Sequence, residues 1–154
     1  MSYAARPHVT TKAIAFLDCC GFTNFTAERG DAAATRLFLA LRDDVTREAT
    51  PAGVEVVKWL GDGAMLAADD VTSALTCLYR TMVRTRDAAG PALPLRAGIT
   101  YGPVVRVVLA DTGLDYLGMS VNRAARLCAV AQPWQVRSGA EVEAVRFTLR
   151  PALV

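Results

Sequence analysis

The sequence predicts an α+β domain: one sheet with helices packed on one face, ferredoxin-like βαββαβ in its core with additions. Short apolar runs of strand character alternate with segments of helical period, in the order strand, helix, hairpin, helix, strand pair. No internal repeat, low-complexity tract or linker interrupts the 154 residues, a length that suits one domain with a real core. We therefore treat 1–154 as a single domain, with 1–12 an N-terminal extension.

Each element has its own warrant. KAIAFLD is a buried strand that ends on the carboxylate of Asp18. CGFTNFTAERGD reads as a turn-rich connection. In DAAATRLFLALRDDVTREA, Ala34, Leu37, Leu41 and Val45 recur at helical spacing, and Pro51 and Gly53 stop the helix. VEVVKWL and AMLAA form a hairpin around Gly61–Gly63, since Asp-Gly tolerates positive φ. VTSALTCLYRTMVRTRDAA is a second amphipathic helix, with Asp70 as N-cap and Gly90 and Pro91 closing it. LPLRAGITYG and PVVRVVLA read as two strands joined at Gly102–Pro103. The loop DTGLDYLG leads to the helix SVNRAARLCAVA, with Ser120 as N-cap and Val121, Ala124 and Cys128 on its core side. WQVRS is a short strand, AEVEAV a helical turn and RFTLRPALV a terminal extended segment.

Composition narrows the function classes. Apolar residues make up 53% of the chain, a surplus that points to a protein interface or buried sheet faces. No apolar run approaches the ~20 residues that cross a bilayer, and AIAFL is too short for a signal peptide. The expectation is a soluble, cytoplasmic chain without a membrane segment. Net charge is +2 with both signs mixed throughout, which is no footprint for a nucleic acid polymer. Cys19, Cys20, Cys77 and Cys128 form no C-x-x-C pair, so a zinc site or disulfide framework is not expected, and all four read as reduced packing residues.

Several polar residues ask for more. Asp18 ends an apolar strand, where a carboxylate is costly unless solvated, capped or bound to a cation. Asp62, at the hairpin tip, is either a turn residue or a ligand. The fold sets the two strands side by side, and two converging carboxylates suit Mg²⁺ or Mn²⁺, hard cations that prefer oxygen and share it with phosphate. Lysine occurs only as Lys12 and Lys58. Lys58 is either an ordinary strand lysine in solvent or a compact charge placed beside Asp62. Asn122 and Arg126, four apart, share a helix face that is either solvated or offered to a phosphate. Asp115 could cap its loop or accept from an exocyclic amine.

FLDCCGFT, KWLGDG, LRAGITYGPVV and DYLGMSVNRAARL, in this order and spacing, resemble the class III nucleotidyl cyclase catalytic domain over about Ala13 to Ser138. The resemblance implies an adenylyl cyclase that converts ATP to 3′,5′-cyclic AMP and pyrophosphate at a homodimer interface. Asp18 and Asp62 match the family's metal aspartates, with the backbone oxygen of Cys19 beside them, and Mg²⁺ or Mn²⁺ is the implied cofactor, in a two-metal site. Lys58 and Asp115 match the adenine-recognising pair, Asn122 the ribose-orienting residue and Arg126 the arginine that stabilises the transition state. Arg96 matches an arginine that reaches the triphosphate, and the backbone at Phe22 and Thr23 the turn that cradles phosphate. In the implied dimer one subunit lends the aspartates and the other lends Lys58, Asp115, Asn122 and Arg126.

The chain departs from the family pattern in three places. The C-terminal hairpin that usually bears a phosphate-binding lysine is shortened, leaving Arg146 or Arg150 of RFTLRPALV to replace it. Arg106 stands where a glycine is usual, and Cys19–Cys20 replaces an aliphatic pair. These departures keep other readings open: a weak or inactive cyclase-homology module that binds nucleotide or a partner, or a cyclase for guanine or a pyrimidine. Regulatory domains would be further partners if the chain is a fragment.

Overall fold

The computed structural model describes residues 7–90 and 92–142. In chain order these form β1 (His8–Cys19), α1 (Phe22–Arg29), α2 (Asp31–Ala52), β2 (Glu55–Leu60), β3 (Gly63–Ala68), α3 (Val71–Asp87), β4 (Leu95–Leu109), β5 (Gly113–Leu117), α4 (Met119–Val130) and β6 (Val136–Ser138). The sheet order is β2-β3-β1-β4-β5, with β6 added parallel to β4 at Ala97–Ile99. All other neighbours are antiparallel. The first four strands have the ferredoxin-like arrangement that the element order predicts.

The strand period of two divides β1 between two apolar clusters. Ala13, Ala15, Leu17 and Cys19 face α2 and α3, packing with Leu41, Val45, Ala49, Leu75, Leu78 and Met82. Ile14 faces the other way, with Met65, Ala67, Val104, Tyr116 and Ala124. The sheet is thus covered on both faces, and the expectation of helices on one face is corrected: Ala124 brings α4 to the face opposite α2 and α3. This double coverage accounts for the apolar surplus within one chain.

Glycines explain the second correction. The expected break at Gly102–Pro103 is absent, and β4 runs unbroken through both residues. A Cβ on Gly98 would lie 2.3 Å from Cys128 N and 2.4 Å from Ala124 O, and one on Gly102 2.7 Å from Ser120 Oγ. Both glycines let α4 press onto the sheet; neither makes a turn. Pro103 is tolerated because β4 has a second neighbour only toward its ends, at Ala97–Ile99 and from Val105 onward.

Four further expectations change. The connection after Cys20 contains helix α1, and Asp115 lies on strand β5 rather than in a loop. Ser120 is not the N-cap of α4; Gly118 holds that position, while the buried Ser120 presents its carbonyl to Thr100 Oγ1 at 2.7 Å. β1 begins at His8, inside the expected extension. Asp70 caps α3 as expected, accepting from Ser73 N at 2.7 Å. Pro51 sits in the last turn of α2, which Gly53 closes. Residues 140–142 begin a helical turn, and RFTLRPALV, with Arg146 and Arg150, falls outside the described residues. No helix among the described residues is long and apolar enough to cross a membrane.

Candidate functional site

Asp18 and Asp62 converge because β1 and β3 end together. Asp18 is the register partner of Gly63, and Cys19 N donates to Asp62 O at 3.2 Å. Gly63 is required for that closeness: a Cβ there would stand 2.4 Å from Leu17 O and 2.9 Å from Asp18 Cβ. Asp62 is therefore both a turn residue and the neighbour of Asp18. A cleft of about 120 Å³ opens here, lined by Asp18, Asp62 and, from α4, Ala125, Cys128 and Ala129.

The two carboxylates differ in their company. Arg96, opposite Asp18 on β4, donates through Nε to Oδ1 at 2.7 Å and through Nη2 to Oδ2 at 3.4 Å. Its Nη1 also reaches Ala129 O at 2.8 Å, tying α4 to the corner. Asp62 has no such partner among the described residues. Burial raises its carboxyl pKa most, the neighbouring Asp18 charge adds to this, and a bond to its own backbone opposes. Burial, reinforced by both aspartates, pushes the Cys19 thiol up to about 12; the donor it offers a hard cation is its backbone oxygen.

These residues fit a divalent cation. Asp62 is a half-buried carboxylate with no salt bridge among the described residues, and the Arg96 charge reaches it only through space. Asp18 keeps acceptor positions beyond the two that Arg96 occupies. Among the described residues no cluster of three or more His, Cys, Asp or Glu side chains forms; the donor set is two carboxylates, backbone oxygen and whatever a phosphate ligand brings.

Lys58 and Asp115 meet elsewhere. β2 shifts register between Val56 and Lys58, an irregularity that re-aims the strand. Lys58 Nζ then donates to Asp115 Oδ2 at 3.0 Å, across from β5. Asp115 is 8% exposed, and its other oxygen accepts from Tyr116 N at 2.8 Å. Beside this pair the Tyr116 hydroxyl donates to Glu55 Oε1 at 3.2 Å. Burial raises the pKa of that phenol, and the Glu55 charge adds to it.

The remaining expected residues stand apart. Asn122 and Arg126 are exposed on α4, make no side-chain hydrogen bond with another described residue, and do not line the cleft at Asp18 and Asp62. Phe22 and Thr23 open α1, whose N-cap Gly21 supplies no side-chain cap, so the first-turn amides receive no capping bond. The chain thus assembles an acidic corner and a Lys–Asp pair, and leaves a polar helix face free.

Sequence reasoning missed several contacts. Arg96 was assigned to phosphate alone, yet it also holds Asp18; only the β1–β4 register reveals this. Arg42 stacks between Phe38 at 4.9 Å and Trp59 at 4.6 Å, anchoring α2 to β2. The i, i+4 spacing of Phe38 and Arg42 was a visible signal, but nothing local pointed to Trp59.

A model of the adenylate and guanylate cyclase catalytic domain matches residues 5–148. An uncharacterized protein of Mycobacterium tuberculosis is 36% identical over 135 residues, 86% of this chain and 33% of that protein. An adenylate cyclase of Streptomyces griseus is 31% identical over 119 residues, 77% of this chain and 28% of that enzyme. The chain therefore spans about a third of the length of the curated relatives it matches. The guanylyl cyclase domain of the RhoGC fusion protein from the aquatic fungus Blastocladiella emersonii shares the fold, with a TM-score of 0.84 at 18% identity over 92% of this chain and 86% of that one.

Proposed function

The chain belongs to the adenylate and guanylate cyclase catalytic domain family, and from that premise we propose that it is an adenylyl cyclase acting as a homodimer. The observation that carries the base assignment is the Lys58–Asp115 pair at 3.0 Å. An ammonium donor beside a carboxylate acceptor complements adenine, which accepts at N1 and donates from N6. Guanine in the same orientation offers the reverse pattern and would leave the buried Asp115 carboxylate unpaired, the kind of mismatch that costs most discrimination. The name of the Streptomyces relative agrees with this choice.

Cyclisation joins the ribose 3′-oxygen to the α-phosphorus and breaks its bond to the β-phosphate, releasing pyrophosphate. Asp18 and Asp62, with the Cys19 backbone oxygen, would hold Mg²⁺ or Mn²⁺, which supplies charge neutralisation and a more acidic 3′-hydroxyl. The uncapped α1 amides at Phe22 and Thr23 offer donors to phosphate. Arg96 keeps N–H donors beyond its three recorded bonds, so it can hold Asp18 and still reach the triphosphate. Asn122 orients the ribose. Arg126 donates to the α-phosphoryl oxygens as their charge grows, so its bond is stronger in the transition state than in the ground state.

The dimer follows from incompleteness. Asn122 and Arg126 lie outside the acidic cleft of their own chain, exposed and without partners among the described residues. Leu117 and Met119, 53% and 68% exposed, flank that helix start as apolar surface for a second copy. Incubating the protein with each nucleoside triphosphate and Mn²⁺ tests the reading, with chromatographic identification of the product. Cyclic AMP is expected. A different cyclic nucleotide would overturn the base assignment, and no product from any triphosphate would overturn the catalytic one.

A further inference from the structure

β2 and β5 are the two edges of the sheet, and among the described residues no ladder joins them. They nonetheless approach each other, and two side-chain bonds bridge them: Lys58 to Asp115 at 3.0 Å, and the Tyr116 hydroxyl to Glu55 at 3.2 Å. The first bridge consists of the groups assigned to the base. A bound base needs the Lys58 donor and the Asp115 acceptor for itself, so that bridge loosens when substrate enters. The second bridge touches no proposed substrate atom and stays made.

We propose that the Tyr116–Glu55 hydrogen bond is a latch that sets the spacing of Lys58 and Asp115, and so makes Tyr116 and Glu55 positioning residues for base choice. The inference rests on the proposed base-recognising role of that pair. Geometry supports it in three ways and electrostatics in a fourth. Glu55 and Lys58 share one short strand, and Asp115 and Tyr116 are consecutive on another, so a bond at one place constrains the other within a residue or two. Tyr116 is only 3% exposed and packs among Ile14, Met65, Ala67 and Val104, which holds the phenol still. Arg106, the residue that departs from the family's usual glycine, stands opposite Tyr116 in the β4–β5 ladder. Lys12 lends its charge to the same group of residues.

The test compares Tyr116→Phe, Glu55→Ala and Glu55→Gln with wild type, using hydrogen exchange of the β2 and β5 amides and the ATP-over-GTP ratio of kcat/KM. Tyr116→Phe and Glu55→Ala should speed exchange in both edge strands and leave the central β1 and β3 amides unchanged. Both should lower base preference about five- to tenfold, the size of one hydrogen bond, through KM rather than kcat. Glu55→Gln keeps an acceptor for the phenol and should behave as wild type, and the double variant Tyr116→Phe/Glu55→Ala should be no worse than either single one. Unchanged edge exchange in Tyr116→Phe would overturn the latch. Faster exchange with intact base preference, while Lys58→Ala still relaxes it, would overturn the latch's role in selectivity and leave the proposed function standing. Intact preference in Lys58→Ala itself would overturn the base assignment and this inference with it.

Discussion

The acidic corner and the Lys58–Asp115 pair are built on opposite principles. Asp18 lies on β1, the central strand, with backbone ladders on both sides, and Asp62 is fixed to it by a main-chain bond and a glycine that admits no Cβ. Lys58 and Asp115 lie on the two edges of the sheet, joined only through side chains. The groups proposed to meet reacting phosphates, which would demand placement within a fraction of an ångström, sit where the backbone cannot shift. The groups proposed to select a base sit where a change of one side chain can move them. The contrast teaches that substitutions at the centre should destroy the reaction, whereas those at the edges should redirect it.

The largest expected effects test the centre. Asp18→Ala and Asp62→Ala should each abolish cyclisation, measured as product formed with Mn²⁺, while circular dichroism and the unfolding midpoint stay close to wild type, since neither carboxylate fills the core. Cyclic product at the wild-type rate from either variant would remove that residue from the metal site. Gly63→Ala should remove activity too, but by displacing Leu17 and Asp18, and should cost about 1–3 kcal/mol of stability by denaturant titration.

Next come the groups on the free helix face and the edges. Arg126→Ala should lower kcat about 10²–10³-fold with a smaller change in KM, because its bond strengthens as charge develops. A change confined to KM would make it a ground-state binding residue. Lys58→Ala with Asp115→Ala should reduce the preference for ATP over GTP more than it reduces turnover of the better base. Retention of full preference would detach the pair from base recognition.

The smallest effect concerns stability. Burial raises the Asp62 carboxyl pKa in the folded state above its unfolded value, so the native state binds this proton more tightly. Ionised Asp62 therefore costs stability at neutral pH, and the cost disappears as pH falls below the unfolded carboxylate range. Asp62→Asn should be inactive yet slightly more stable than wild type at pH 7, with the gain vanishing in acid. A loss of stability at pH 7 would show that Asp62 is better paired than its surroundings indicate.

Much of this was legible in the sequence. Apolar periodicity located the long helices and the hairpin, and the succession of elements implied the strand order that the sheet shows. Asp18 and Asp62 were legible because carboxylates at the ends of apolar runs are conspicuous. What escaped depended on contacts between distant residues. Gly98 and Gly102 resemble turn glycines until α4 is seen pressing on them, and Pro103 looks like a break until the bare edge of β4 is known. The pairing of Tyr116 with Glu55 spans 61 positions and exists only because two sheet edges meet. DYLG carries few strand signals of its own, and β5 is a strand because β4 supplies its ladder.

The central claim is that one chain holds only part of each active site, and complementation tests it most directly. Asp18→Ala and Arg126→Ala homodimers should each have two broken sites. In a mixed dimer one site takes both lesions and the other takes neither. Equal random mixing makes about half of the dimers mixed, each with one sound site of two, so roughly a quarter of wild-type activity should return. Cyclic AMP production at that level from the mixture, against almost none from either variant alone, is the predicted result. No recovery, with subunit exchange independently demonstrated, would contradict the shared site.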